Sequence, residues 1–147
     1  MNTAKCHIAN LYIMLLLVGM APAIGAEQVA WNGPAALQLS DDLFSAARQL
    51  SIECRQSPPR YDDNSSSGHL EFRYHVRHFL SVANDLSLAL EDGKSKNETK
   101  PIFETLENMM IDLKRYSEKK AGGPWPAVSK AVLDVDAIIV QLSAYYN

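Results

Sequence analysis

Apolar residues recur at alternating steps of three and four along four stretches of this chain. That spacing gathers side chains on one face of an α-helix. In the first stretch Ala36, Leu43, Ala47, Leu50 and Cys54 share a stripe, and Leu39 and Phe44 widen it. Gly33-Pro34 leads into this helix. Pro58-Pro59 ends it, because consecutive prolines withhold two donors and push the preceding residue out of helical geometry. Residues 60–68 are polar and turn-rich and read as a long loop.

The second stretch has the cleanest pattern: Phe72, Val76, Phe79, Ala83, Leu86 and Leu90 fall on one stripe, which ends near Glu91-Asp92-Gly93. A charged turn, residues 94–96, follows. The third helix is expected to start with Thr99 as its cap and Pro101 in its first turn, and to present Ile102, Phe103, Leu106, Met109, Met110, Leu113 and Tyr116 inward. Gly122-Gly123-Pro124 closes it and opens a fourth helix, in which Trp125, Val128, Val132, Val135, Ile139, Leu142 and Tyr146 step by three and four. No hairpin turn separates alternating runs, so no strand competes with this reading. Four helices of about 20 residues, each roughly 30 Å long, match one another in length. Short connections between the second, third and fourth helices force antiparallel neighbours, and the longer first loop can still join adjacent helices, so the pattern predicts an all-α, up-down-up-down four-helix bundle. The other arrangement it allows is a pair of helical hairpins completed by dimerisation.

A denser apolar run, residues 8–18, precedes the bundle. Lys5 supplies a positive flank, and Ala21-Pro22-Ala23-Ile24-Gly25-Ala26 supplies small residues for cleavage. This reads as a signal peptide over residues 1–26, cut after Ala26. A short lead-in, residues 27–33, and the bundle domain, residues 34–147, would follow. Pro22 and the small-residue end speak against an uncleaved anchor. No cysteine follows the run to carry a lipid. The expected location is periplasmic or secreted, with no stable membrane anchor after cleavage. Asn64 and Asn97 each open a formal glycosylation sequon, in stretches read as loops.

Removing that leader takes 26 of the 147 residues, which leaves 121, enough for one domain around one core. An apolar fraction of 47% can build such a core. The formal net charge of −3 becomes −4 once Lys5 is gone, so no whole-surface attraction to nucleic acid is expected. Cys6 leaves as well, and Cys54 remains without a partner inside the domain. Its place on the first stripe predicts a buried thiol rather than a nucleophile.

Two groups of residues could carry binding chemistry. Arg55, Arg60, Arg73 and Arg77 fall around the first loop with no Lys among them, and an antiparallel first pair of helices brings them to one end of the bundle. Guanidinium suits planar carboxylate and phosphate groups, and the N-terminus of the second helix would add its positive dipole. An anionic ligand or an acidic partner could sit there. Ordinary pairing with Glu53, Asp62, Asp63 and Glu71 explains the same residues more simply.

Glu71, His75 and His78 share a face at steps of four and three, a partial ligand set for zinc, copper or nickel. Histidines beside an apolar stripe also serve as plain boundary residues. A covalent haem needs Cys-x-x-Cys-His, whereas Cys54 precedes Arg55-Gln56-Ser57. A non-covalent haem would have only His75 with Met109 or Met110. Nucleophile-elbow, zinc-protease and phosphate-loop motifs are absent, and Asp41-Asp42 and Asp62-Asp63 suit capping and solubility better than acid–base work. Leu70, Leu88, Leu133 and Val140 lie off the main stripes and could meet a protein partner or a second copy. The sequence therefore predicts an exported, non-enzymatic binding module. The alternatives are a transition-metal-binding protein using Glu71, His75 and His78, or a small-ligand or haem carrier.

Overall fold

The structure, a computed structural model, describes residues 30–56, 66–119 and 126–147. The expected leader and its cleavage point, the stretch with Arg60, Asp62, Asp63 and Asn64 read as the first loop, and Gly122, Gly123, Pro124 and Trp125 lie outside the described residues. The described residues form four helices: α1 (Gly33–Gln56), α2 (Ser66–Glu91), α3 (Lys96–Lys119) and α4 (Pro126–Tyr146). No strand occurs among the described residues, and none of the described helices is long and apolar enough to cross a membrane.

Each helix packs on its neighbours in sequence, and α4 closes the ring on α1. Contacts between helix ends fix the directions. Ser87 near the end of α2 donates a hydrogen bond to Asp41 near the start of α1. Tyr116 of late α3 donates to Glu71 of early α2 at 2.7 Å, and Tyr146 at the end of α4 donates to Thr99 at the start of α3 at 2.8 Å. Trp31, just ahead of α1, meets Tyr146 edge-on with ring centroids 5.3 Å apart. Successive helices therefore run antiparallel. This is a four-helix bundle.

The expected stripes form its core. Leu43, Ala47, Leu50 and Cys54 of α1 pack with Phe72, Val76, Phe79, Ala83, Leu86 and Leu90 of α2. Phe103, Leu106, Met110 and Leu113 of α3, and Val128, Val132, Val135, Ile139, Leu142 and Tyr146 of α4, complete it. Three further core positions carry no large apolar side chain. Ser40 is fully buried on the α1 stripe, its hydroxyl donating to the Leu37 carbonyl at 2.7 Å. Thr99 is fully buried at the head of α3. Gly68 is buried one turn ahead of Phe72, so α2 starts inside the run read as loop. A buried glycine continues a stripe without adding an apolar side chain to the pattern.

The helix ends correct several expectations. Asn32 caps α1, its Oδ1 accepting from the Ala35 amide at 3.2 Å. The cap of α3 is Ser95 rather than Thr99: Glu98 accepts from the Ser95 amide at 2.9 Å and from its hydroxyl at 2.6 Å. This serine-to-glutamate cap box starts the helix one turn earlier. Thr99 turns inward instead, Pro101 moves into the second turn, and the Asn97 sequon lies in the first turn of a helix rather than in a loop. At the end of α2, the Gly93 amide donates to the Leu90 carbonyl and the Lys94 amide to that of Ala89, both at 3.0 Å. Gly93, at φ 76°, supplies the left-handed residue this Schellman closure needs.

Candidate functional site

Antiparallel packing sets the last turn of α1 beside the third and fourth turns of α2. Ser51, Cys54 and Arg55 there face Arg73, Val76 and Arg77 across a cleft with about 60 Å³ of space open to water centres. At roughly 10–15 Å³ per water, that is room for a few waters or one small oxyanion. Three of the four arginines singled out by sequence thus line one cleft. Arg60, the fourth, lies outside the described residues.

The floor of the cleft is uncharged. Val76 is 2% exposed and Cys54 is 1% exposed, and burial pushes the thiol up to about 12 although the Arg73 guanidinium pulls it the other way. The group stays a neutral thiol at physiological pH, as its place on the stripe suggested. Around this floor, Arg55 is steadied by its Nε donating to the Ser51 carbonyl at 3.3 Å. Arg73 is half-buried, and Arg77 is exposed at the rim.

Four cations elsewhere are paired: Lys100 with Glu104, Lys114 with Asp136, Arg115 with Asp112 and Lys130 with Asp134. Among the described residues Arg55, Arg73 and Arg77 form no ion pair. Of the carboxylates read as their pairing candidates, Glu71 is engaged elsewhere: it points to the other side of α2 and accepts from Tyr116. The helix dipole contributes little. With α2 starting at Ser66, Arg73 lies about two turns in, beyond the first-turn reach of that field.

The histidine face looks toward α3. His75 stacks on the Tyr116 ring at 5.0 Å, and Tyr74 stands between His75 and His78 with centroids 6.0 and 6.4 Å away. Glu71 and His75 therefore share Tyr116 as a partner, and His78 is exposed. Among the described residues no three His, Cys, Asp or Glu side chains come together around a point where a metal ion would sit. Of the two candidate haem-ligand methionines, Met110 is buried in the core and Met109 packs at its edge.

Leu70, Leu88, Leu133 and Val140 are exposed, as their positions off the stripes imply. Tyr74 and Ile111, at 66% and 56% exposure, join them. Their spacing alone did not single those two out, because exposure depends on how far the neighbouring helices cover each side chain. Comparison with protein-family models, with curated proteins and with solved structures finds no match for this chain.

Proposed function

We propose that this chain is an exported, non-enzymatic binding module that takes an oxyanion, a carboxylate or phosphate group of an acidic partner or ligand, in the arginine cleft between α1 and α2. One observation carries the reading: three guanidiniums line one small cleft with an apolar floor, and none of them has a carboxylate partner among the described residues. Like charges held together raise the energy of the free protein, and an anion relieves it. The neutral floor of Val76 and Cys54 lowers the local dielectric and strengthens each contact. Arg55 and Arg73 reach from the two walls and supply planar, paired donors, and Arg77 guards the rim. The apolar run and small-residue stretch within residues 1–26 support reading the module as exported.

The test is a titration at constant ionic strength with inorganic sulfate and, separately, with a polyglutamate peptide. Amide resonances of residues 51–55 and 73–77 should shift and saturate. Each charge-assisted contact is worth about 1.5–3 kcal/mol, so R55Q/R73Q should weaken binding at least about a hundredfold while helical content is kept. Equal responses from both proteins, or shifts that follow ionic strength alone, would reject the reading.

A further inference from the structure

The outward face of α2 is self-complementary about Ser81. Taking about 100° per residue, Leu70, Tyr74, Arg77, Ser81, Asp85 and Leu88 fall within about 40° of one line on the side of the helix away from the core. All six are exposed, and the three apolar ones remain 65%, 66% and 49% accessible for Leu70, Tyr74 and Leu88. Around Ser81 the order mirrors itself from Tyr74 to Leu88, and Leu70 lies beyond the mirrored stretch. Arg77 and Asp85 stand four residues to either side with opposite charges, and Tyr74 and Leu88 stand seven residues to either side, both apolar. Neither Arg77 nor Asp85 has an ion pair within the chain among the described residues.

We infer that this face binds a second copy of the same chain, α2 against α2 in antiparallel, with Ser81 on the twofold axis. A twofold contact needs a surface that matches itself, and an antiparallel helix pair sets residues equally displaced from its centre in one layer. Arg77 then meets Asp85 of the other copy in two equivalent ion pairs. Tyr74 covers Leu88 of the other copy twice, and the small side chain of Ser81 lets the backbones approach at the axis. A parallel pairing would set Arg77 on Arg77 and Asp85 on Asp85, so the charges select the antiparallel one. The contact goes beyond the anion-binding reading and does not depend on it. It leaves Arg55 on α1 and Arg73 on the side of α2 that faces α1 free to hold a ligand, and engages Arg77 from its outer side.

Charge exchange tests it, read by sedimentation equilibrium and native mass on the purified protein. The wild type should dimerise, with affinity falling as salt rises. R77D and D85R should each be monomers at concentrations where the wild type is paired, because each sets like charges against one another twice. Mixed together, the two variants should form a one-to-one heterodimer, and R77D/D85R should recover the homodimer. A monomeric wild type at submillimolar concentration would overturn the inference. So would dimers that survive in both single variants, or a dimer lost instead on V140D, which would put the contact on α4. Failure of the sulfate titration with dimerisation intact would reject the cleft reading alone.

Discussion

Tyr146 and Thr99 offer a quantitative check on how the end of the bundle opposite the arginine cleft is held. Both are buried, at 2% and 0% exposure. The Tyr146 hydroxyl donates to Thr99 Oγ1 at 2.8 Å, and Oγ1 in turn donates to the Ser95 carbonyl at 3.0 Å. The Tyr146 ring stacks on Phe103 with centroids 4.4 Å apart. Replacing Tyr146 with Phe keeps the ring and its stacking and removes one hydrogen bond. Thr99 still has its donation to Ser95, so no buried donor is orphaned, and the loss should be about 0.5–1.5 kcal/mol.

Replacing Thr99 with Val is nearly isosteric but strands the Tyr146 hydroxyl in the core. The cost is then that of an unsatisfied buried donor, about 1–3 kcal/mol. The double variant T99V/Y146F strands nothing, so it should be no less stable than T99V alone. In a domain of this size, each kcal/mol lowers Tm by roughly 3–6 °C. Urea and thermal unfolding of the four proteins, followed by far-ultraviolet circular dichroism, give the coupling directly. Additive losses, or a Y146F loss as large as that of T99V, would refute the hydrogen-bond account.

Two further outcomes follow from the same structure. Cys54 should be alkylated far more slowly in the native protein than in urea. Because its folded pKa is raised from 9.0 to about 12, its contribution to stability is complete below about pH 9 and fades as pH rises toward 12. Unfolding titrations between pH 8 and pH 11 on wild type and C54A check this, and C54A should be the less alkali-sensitive of the two. Gly93→Ala should cost about 1 kcal/mol through its left-handed backbone alone, since an added Cβ would meet nothing within 4 Å. Gly93→Asn should cost less, and equal melting of all three proteins would show that the closure is not strained by a side chain.

The helices, their stripes and most of the core were legible because helical pitch fixes each side chain's angle from its position alone. Val76, Phe79 and Ala83 face inward by spacing, whatever they meet there. The gathering of Arg55, Arg73 and Arg77 was also legible, since all three flank the first loop, and an antiparallel α1–α2 pair brings the two sides of that loop to one end of the bundle. Spacing cannot report which polar groups meet across helices, because those contacts join residues far apart in sequence. Tertiary packing decided that Glu71 turns to Tyr116 and leaves the arginines, that Ser40 and Thr99 fill core positions, and that Tyr146 closes on Thr99. It also decided how much of Tyr74 and Ile111 stays exposed, because exposure depends on the neighbouring helix and not on the residue's own angle. The sequence by itself determined the faces; packing of the four helices determined which of them are buried and which stay exposed.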